Sequence, residues 1–378
     1  MHRNFGDSKQ NKMKVLMIGM DPQLLDPTSE TGRRIDFYKT ALDKLSVVVL
    51  ESHGKSYLGK ILAFIKAWRV ARGFIRKEKF DLISAQDPFA TGLIGYFLKL
   101  ETGMRLQLQI HTGLFTPYFV LESVKNRAYV RLAKFLLPRA DCIKVVSYGI
   151  RDYIVEELKI DPSKISVLPV YVSLDDYTHS TIRTNLKEKY PQLNFIILMA
   201  SRLVGQKNIP LAIEAVGELA KKYPSVGLII VGSGPDEQNL KLLTKNLKLE
   251  DNVFFETWTN DLASYYKTAD IFLLTSTYEG WARTVVEAGA CGLPVVMTSV
   301  GVAGELVKDG ENGIIVPVGD KDRTMKAIEY LYLHPEIRKS MGEIAKQVIK
   351  DISIRDPGEY LRQYKESFSP CQNKKKNK

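Results

Sequence analysis

Short β-branched runs alternate with longer helical patterns along nearly all of this 378-residue chain. That alternation restricts the fold more than any other property, because strands separated by helices pair side by side in parallel sheets of βαβ units. Candidate strands in the first half are 14–19, 46–50, 81–85, 105–110, 142–147 and 165–169. The second half offers 195–200, 226–232, 253–256, 270–275, 294–298 and 313–316. Between the sets, 170–193 is polar and strand-poor and reads as a crossover. The pattern predicts an α/β fold of two Rossmann-like, doubly wound domains.

Composition narrows the function. With 26% charged and 45% hydrophobic residues, the chain is globular and not disordered. Its apolar runs are broken well before the roughly 18 residues of a membrane-spanning helix, and its polar N-terminus lacks the apolar stretch of a signal peptide. Cys142, Cys291 and Cys371 are scattered and odd in number. They suggest neither a disulfide framework nor a metal site, which reads as a reducing cytoplasm. The net charge of +11 is concentrated in residues 1–170, with 27 Lys and Arg against 17 Asp and Glu, while 171–378 hold 27 against 26. A basic first half predicts an anionic partner, such as a membrane surface or a lipid phosphate. The stretch 58–80 carries Leu58, Ile61, Leu62, Ile65, Trp68 and Ile75 on one side of a helix, with Lys60, Lys66, Arg69 and Arg72 around them. Such a helix either packs its stripe on the sheet or lies on anionic lipid.

The chemistry concentrates in the second half. Glu279 and Glu287 stand eight positions apart, the first just after the strand 270–275 and the second inside the following helix. Loops after parallel strands form the ligand crevice of open α/β sheets. A carboxylate there can accept hydrogen bonds from both hydroxyls of a ribose, and a second can hold a sugar ring. Glu287 alternatively completes a capping box with Thr284. Arg202 and Lys207, five apart on a strand-to-helix loop, can converge on one diphosphate. Fixed cations at that place stabilise the charge that develops on a departing oxygen.

Four further features are candidates or decoys. His111 ends the strand 105–110, where it serves either as a structural imidazole or as part of a site. Gly32, within Ser29-Glu30-Thr31-Gly32-Arg33-Arg34, opens a helix whose free amides can bind an anion, or belongs to an ordinary capped helix start. The turn Val231-Gly232-Ser233-Gly234-Pro235 lacks the third glycine of a dinucleotide fingerprint and reads as a tight turn. Asp320-Lys321-Asp322 reads as a solvated loop and not as a metal site.

Taken together, these motifs resemble those of the retaining glycosyltransferases of family 4, most specifically over residues 195–318. The resemblance implies the GT-B architecture, two domains facing across a cleft with a last helix returning to the first. The corresponding boundaries are 14–170 plus about 353–369 for the first domain and 171–352 for the second, with 1–13 and the basic tail 370–378 disordered. It also implies a hexosyl donor linked to UDP or GDP, acting as substrate with no cofactor or metal, and a glycan or lipid-linked acceptor with no nucleic acid. The setting would be cytoplasmic, with peripheral contact on a membrane. By matching position, Arg202 and Lys207 stabilise the departing diphosphate, Glu287 holds the ribose, Glu279 holds the sugar, and His111 lines the reacting centre. Gly32 approaches the donor phosphate, and Gly280, Trp281, Ala282, Arg283 and Thr284 complete the nucleotide-sugar pocket. The family usually has a second glycine at the position of Ala282. An epimerase or hydrolase of the same architecture, or a non-catalytic nucleotide-sugar-binding partner, stays open as an alternative.

Overall fold

Strands form at each of the twelve apolar runs, and they sort into two parallel sheets. The computed structural model describes residues 13–51, 56–352, 354 and 356–372. It divides into two units, the first built from residues up to His111, 123–169 and 356 onward, the second from 112–122 and 170–355. Residues 112–122 therefore leave the first domain drawn from sequence. The disorder expected at the termini falls mostly on residues 1–12 and 373–378, which lie outside the described residues. Met13 is buried, and residues 369–372 are helical, so the tail begins later than 370.

The first unit holds β1 (Lys14–Gly19), β2 (Lys44–Val49), β3 (Leu82–Ala85), β4 (Arg105–Ile110), β5 (Cys142–Val145) and β6 (Ile165–Val167), in the order β2-β1-β3-β4-β5-β6. Residues of β1 and β3 are buried on both faces, as a parallel sheet covered by crossover helices requires. The helix Pro357–Glu366 closes this unit. Tyr364 stacks on Tyr38 at 4.2 Å, and the Tyr360 hydroxyl donates to the Pro169 carbonyl at 2.9 Å.

Two sequence readings fail in this unit. Cys142 in β5 and Cys371 in the helix Ser369–Gln372 form a disulfide across 229 residues, with Cα atoms 5.0 Å apart. The return of the C-terminal segment creates that proximity, which spacing along the chain does not encode. The cysteine argument for a reducing compartment loses its footing. The helix Tyr57–Lys77 packs inward through Ala63, Ala67 and Ala71, while Leu58, Ile61 and Leu62 from the predicted stripe stay outside. Alanines four apart give a smooth face that lies close on its neighbours, and the larger residues are displaced from it.

The second unit holds β7 (Phe195–Ala200), β8 (Val226–Val231), β9 (Val253–Glu256), β10 (Ile271–Leu274), β11 (Val295–Thr298) and β12 (Gly313–Val316), in the order β12-β11-β10-β7-β8-β9. Its core joins the apolar face of the helix Ile209–Lys222 (Ile209, Ile213, Val216) to strand residues such as Ile197, Leu228 and Leu273. Strand order reverses between the neighbours β7 and β10. At such a switch point the loops leaving the two strands diverge and open a crevice at the carboxyl edge. In the first sheet the reversal lies between β1 and β3.

Candidate active site

The two loops at the second sheet's switch point carry the predicted charges. Arg202 and Lys207 follow β7, and Glu279 follows β10. The loops are tied together at several points. The Thr275 hydroxyl donates to the carbonyls of Lys207 (2.9 Å) and Asn208 (3.0 Å), and the Thr277 amide donates to the Gln206 carbonyl (2.9 Å). The Gln206 side-chain amide returns a bond to the Tyr278 carbonyl at 2.8 Å. Four hydrogen bonds between loops that are about 70 residues apart in sequence hold the crevice walls in register.

Inside this frame Lys207 and Glu279 form an ion pair, with side chains only 14% and 9% exposed. The Ser276 hydroxyl donates to the same Glu279 oxygen at 2.7 Å. Arg202 is exposed, and among the described residues its side chain makes no ion pair or hydrogen bond. Beside it the Ser201 hydroxyl is buried without a hydrogen-bond partner among the described residues. The turn after β8 supports this loop, since the Leu203 amide donates to the Ser233 carbonyl at 2.9 Å.

Glu287 does not cap a helix. The helix Arg283–Ala290 begins after Ala282, and Glu287 lies in its middle, 3% exposed. One of its oxygens accepts from the Tyr266 hydroxyl at 3.0 Å and the other from Arg283 Nη2 at 3.1 Å. A carboxylate has about four acceptor positions, so two directions stay open for further donors. Burial, then the Glu287 charge, pushes the Tyr266 hydroxyl far above its ordinary pKa, so it stays a donor. Gly280 and Trp281 are buried in the turn before this helix, and Thr284 is half-buried in its first turn. Ala282 has φ 60° and ψ 66°, the left-handed conformation that favours glycine. The backbone therefore keeps a glycine-like path although the residue is alanine.

Sequence reasoning missed several supports of this crevice. Residues 112–122 pack on the Tyr278–Glu279 turn, with Phe119 edge-on to Tyr278 at 5.2 Å and the Tyr278 hydroxyl donating to Glu122 at 2.8 Å. A Cβ at Gly113 would stand 2.7 Å from the Glu279 carbonyl oxygen, so only glycine lets the two segments approach this closely. The Gly113 signal was available in His111-Thr112-Gly113, whereas nothing in the sequence links Tyr266 to Glu287.

His111 and Gly32 belong to the first unit. His111 Nε2 lies 2.9 Å from Gln109 Oε1, and the buried Lys144 Nζ donates to the same oxygen at 3.5 Å. The Gln109 amide nitrogen donates to the Ser84 hydroxyl at 2.8 Å, which fixes the amide so that its oxygen faces His111. His111 Nε2 is thus the protonated nitrogen and Nδ1 the acceptor. Although the residue reaches the surface, desolvation by the protein packed around the ring, then the charges of Lys144 and Arg34, lower the imidazole pKa below its ordinary 6.5. Gly32 sits in the first turn of the helix Glu30–Lys39, and its amide donates to the capping Ser29 hydroxyl at 2.8 Å. A Cβ there would lie 1.8 Å from the Asp26 carbonyl oxygen, which gives this glycine a packing reason of its own. Asp320 accepts from the Arg323 amide at 2.9 Å as a helix cap. Among the described residues no group of three or more His, Cys, Asp or Glu side chains is placed to hold a metal ion.

Two doubly wound parallel sheets of six strands each are the fold of the GT-B class of glycosyltransferases. A family model for glycosyl transferases group 1 matches residues 183–348, and one for a glycosyl transferase 4-like domain matches residues 28–170. The chain belongs to the group 1 glycosyltransferases and is a glycosyltransferase. It is 37% identical to an uncharacterized glycosyltransferase of Haemophilus influenzae over 44% of this chain, a match spanning about half (48%) of that relative. It is 27% identical to the UDP-Gal:alpha-D-GlcNAc-diphosphoundecaprenol alpha-1,3-galactosyltransferase of Escherichia coli, over 67% of each chain. Anabaena HepE, crystallised with UDP, has the same fold, with a TM-score of 0.74 at 21% identity over 94% of this chain and 100% of that one.

Proposed function

We propose that the protein moves a glycosyl group from a nucleoside-diphosphate sugar, UDP- or GDP-linked, to a lipid-linked or saccharide acceptor with the anomeric configuration kept. The observation that carries this reading is the placement of Arg202 and the Lys207–Glu279 ion pair on the two loops at the β7/β10 switch point. In the proposed step the bond from C1 to the diphosphate oxygen breaks while the acceptor oxygen bonds to the same face of C1. The acceptor's proton leaves to the diphosphate. Arg202 and Lys207 stabilise the charge on the departing oxygen. Glu287 takes the ribose hydroxyls through its remaining acceptor positions, and Glu279, oriented by Lys207 and Ser276, takes hydroxyls of the sugar. His111 is assigned to the reacting centre and Gly32 to the donor phosphate. Gly280, Trp281, Ala282, Arg283 and Thr284 are assigned to the nucleotide-sugar pocket.

The orphan Ser201 hydroxyl beside Arg202 supports a donor phosphate at this loop, because a buried hydroxyl without a partner is costly. The donor is a substrate, and no resident cofactor or metal enters the scheme. The name of the Escherichia coli relative favours a UDP sugar and a diphosphate-linked polyprenyl acceptor. A lipid-linked acceptor of that kind would place the protein peripherally at the membrane, on its cytoplasmic face, and no helix among the described residues is long and apolar enough to cross it.

Arg202→Ala tests the reading most cleanly, because it disturbs no ion pair. It and Lys207→Ala should each lower kcat by about 10²–10³-fold, the usual loss for one fixed donor to a developing oxyanion, with an unchanged circular dichroism spectrum. Full activity in both variants removes the leaving-group assignment. Free sugar released without acceptor would instead mark a hydrolase.

A further inference from the structure

Two helices of the first unit leave large apolar side chains outside its core. Leu58, Ile61 and Leu62 on the helix Tyr57–Lys77 are each more than half exposed, and Phe97 and Leu100 on the helix Ala90–Thr102 are exposed as well. The two helices are neighbours, and apolar side chains grouped at the surface in this way can mark a binding site. Between these helices and the helix Val124–Leu136 lies a cavity of about 480 Å³, within the roughly 300–1,000 Å³ of small-molecule sites. Ile61 and Phe64 line it from one helix, Leu93 and Phe97 from the next, and Tyr129 from the third. Phe64 and Phe97 meet edge to face at 6.3 Å. The cavity also reaches Met20 and Leu50, the residues that follow β1 and β2, so it opens at the carboxyl edge of the sheet beside its switch point.

The charged residues on its wall are Lys60 and Lys125, and no carboxylate lines it among the described residues. A free saccharide would need several hydroxyl-binding groups here, and the wall supplies few. A hydrocarbon chain ending in an anion matches both the apolar wall and the two ammonium groups. We propose that this cavity holds the hydrocarbon chain of a phosphate-headed lipid acceptor, with the phosphate against Lys60 and Lys125. The inference rests on the lipid-linked branch of the function proposed above.

Calorimetric titration of the full chain with octyl, decyl and dodecyl phosphate, below their micellar concentrations, tests it, with inorganic phosphate as the chain-free probe. Affinity should rise about four-fold per methylene until the cavity is full, and inorganic phosphate should bind far more weakly. Phe97→Ser and Ile61→Ser, at partly exposed positions that folding does not require, should weaken dodecyl phosphate by about ten-fold or more. Lys125→Ser should weaken dodecyl phosphate and leave dodecanol unchanged. Affinity independent of chain length, or unchanged in both apolar variants, overturns the proposal. So does binding to phosphatidylglycerol vesicles without binding to any alkyl phosphate, which would make this face a membrane rest only. UDP binding, measured separately, distinguishes the two readings. If UDP binds and the alkyl phosphates do not, the cavity assignment alone fails, and if UDP does not bind, the proposed function fails.

Discussion

Lys144 is the residue least expected from the chain. It lies in β5 opposite Gln109 of β4, 3% exposed, in a position where a strand normally carries an apolar side chain. Burial, then the nearby Arg34 charge, lowers its pKa to about 7. The groups facing it are Gln109, His111 and Arg34, and among the described residues no carboxylate offsets its charge. In the unfolded chain the amine takes up its proton near pH 10.5, and in the folded protein near 7. The unfolded state therefore binds more protons between those values, and stability from this group rises as pH increases from 7 to about 10. Lys144→Met should remove that slope and stabilise the protein at pH 7 by roughly 3–5 kcal/mol, because each pH unit between the two titrations is worth about 1.4 kcal/mol. Urea unfolding of both proteins at pH 7 and 9.5 checks it, and equal slopes would show that Lys144 is not buried in this way. After desolvation, the charge of the same lysine is the next cause of the lowered His111 pKa, so the variant should also raise the pH at which that imidazole titrates by NMR.

Among the elements, the C-terminal segment shows most clearly what packing adds. The aromatic spacing of Tyr360 and Tyr364 suffices to predict a helix, and the capping Asp356 starts it. Its partners are Tyr38 and Gln107, whose amide donates to the Ser367 carbonyl at 3.0 Å, and Cys142 through the disulfide. A bridge over so long a loop removes much freedom from the unfolded chain, so Cys371→Ser should lower unfolding free energy by about 2–4 kcal/mol. Thiol titration of the denatured protein should find one free thiol before reduction, Cys291, and three after it. Three thiols without reductant would exclude the bridge. Burial pushes the Cys291 thiol up to about 12, so it should stay unreactive in the folded protein. The helix Tyr57–Lys77 teaches the complementary lesson. A stripe of large apolar residues does not identify the buried face when alanines at the right spacing allow a closer approach.

Across the whole chain, both sheets repeat one plan, yet the charged groups of the two switch points differ. The second carries the cation–carboxylate cluster, and the first has an apolar cavity beside it, with His111 at the end of β4 further along the same edge. A nucleoside diphosphate should therefore be bound chiefly by the second unit. Screening UDP, GDP and ADP by thermal shift, the matching nucleotide at about 100 times its Kd should add about 2.7 kcal/mol, or roughly 5–10 °C in Tm for a domain of this length. Loss of that shift in Arg202→Ala ties it to the loop after β7, and an undiminished shift places the nucleotide elsewhere.

Residue pattern was enough to give the class of fold, the twelve strands to within a residue or two, and the loops that bear Arg202, Lys207 and Glu279. These follow from periodicity and from strand-to-loop boundaries, which are local properties of the chain. Four features came from folding in three dimensions: the strand order that sets β7 beside β10, the Tyr266 and Arg283 partners that bury Glu287, the packing of residues 112–122 on the Glu279 turn, and the Cys142–Cys371 bridge. Most of these join residues far apart in sequence, and all depend on which face of an element is covered. Such contacts are set by shape and burial, and no local pattern of residues carries them.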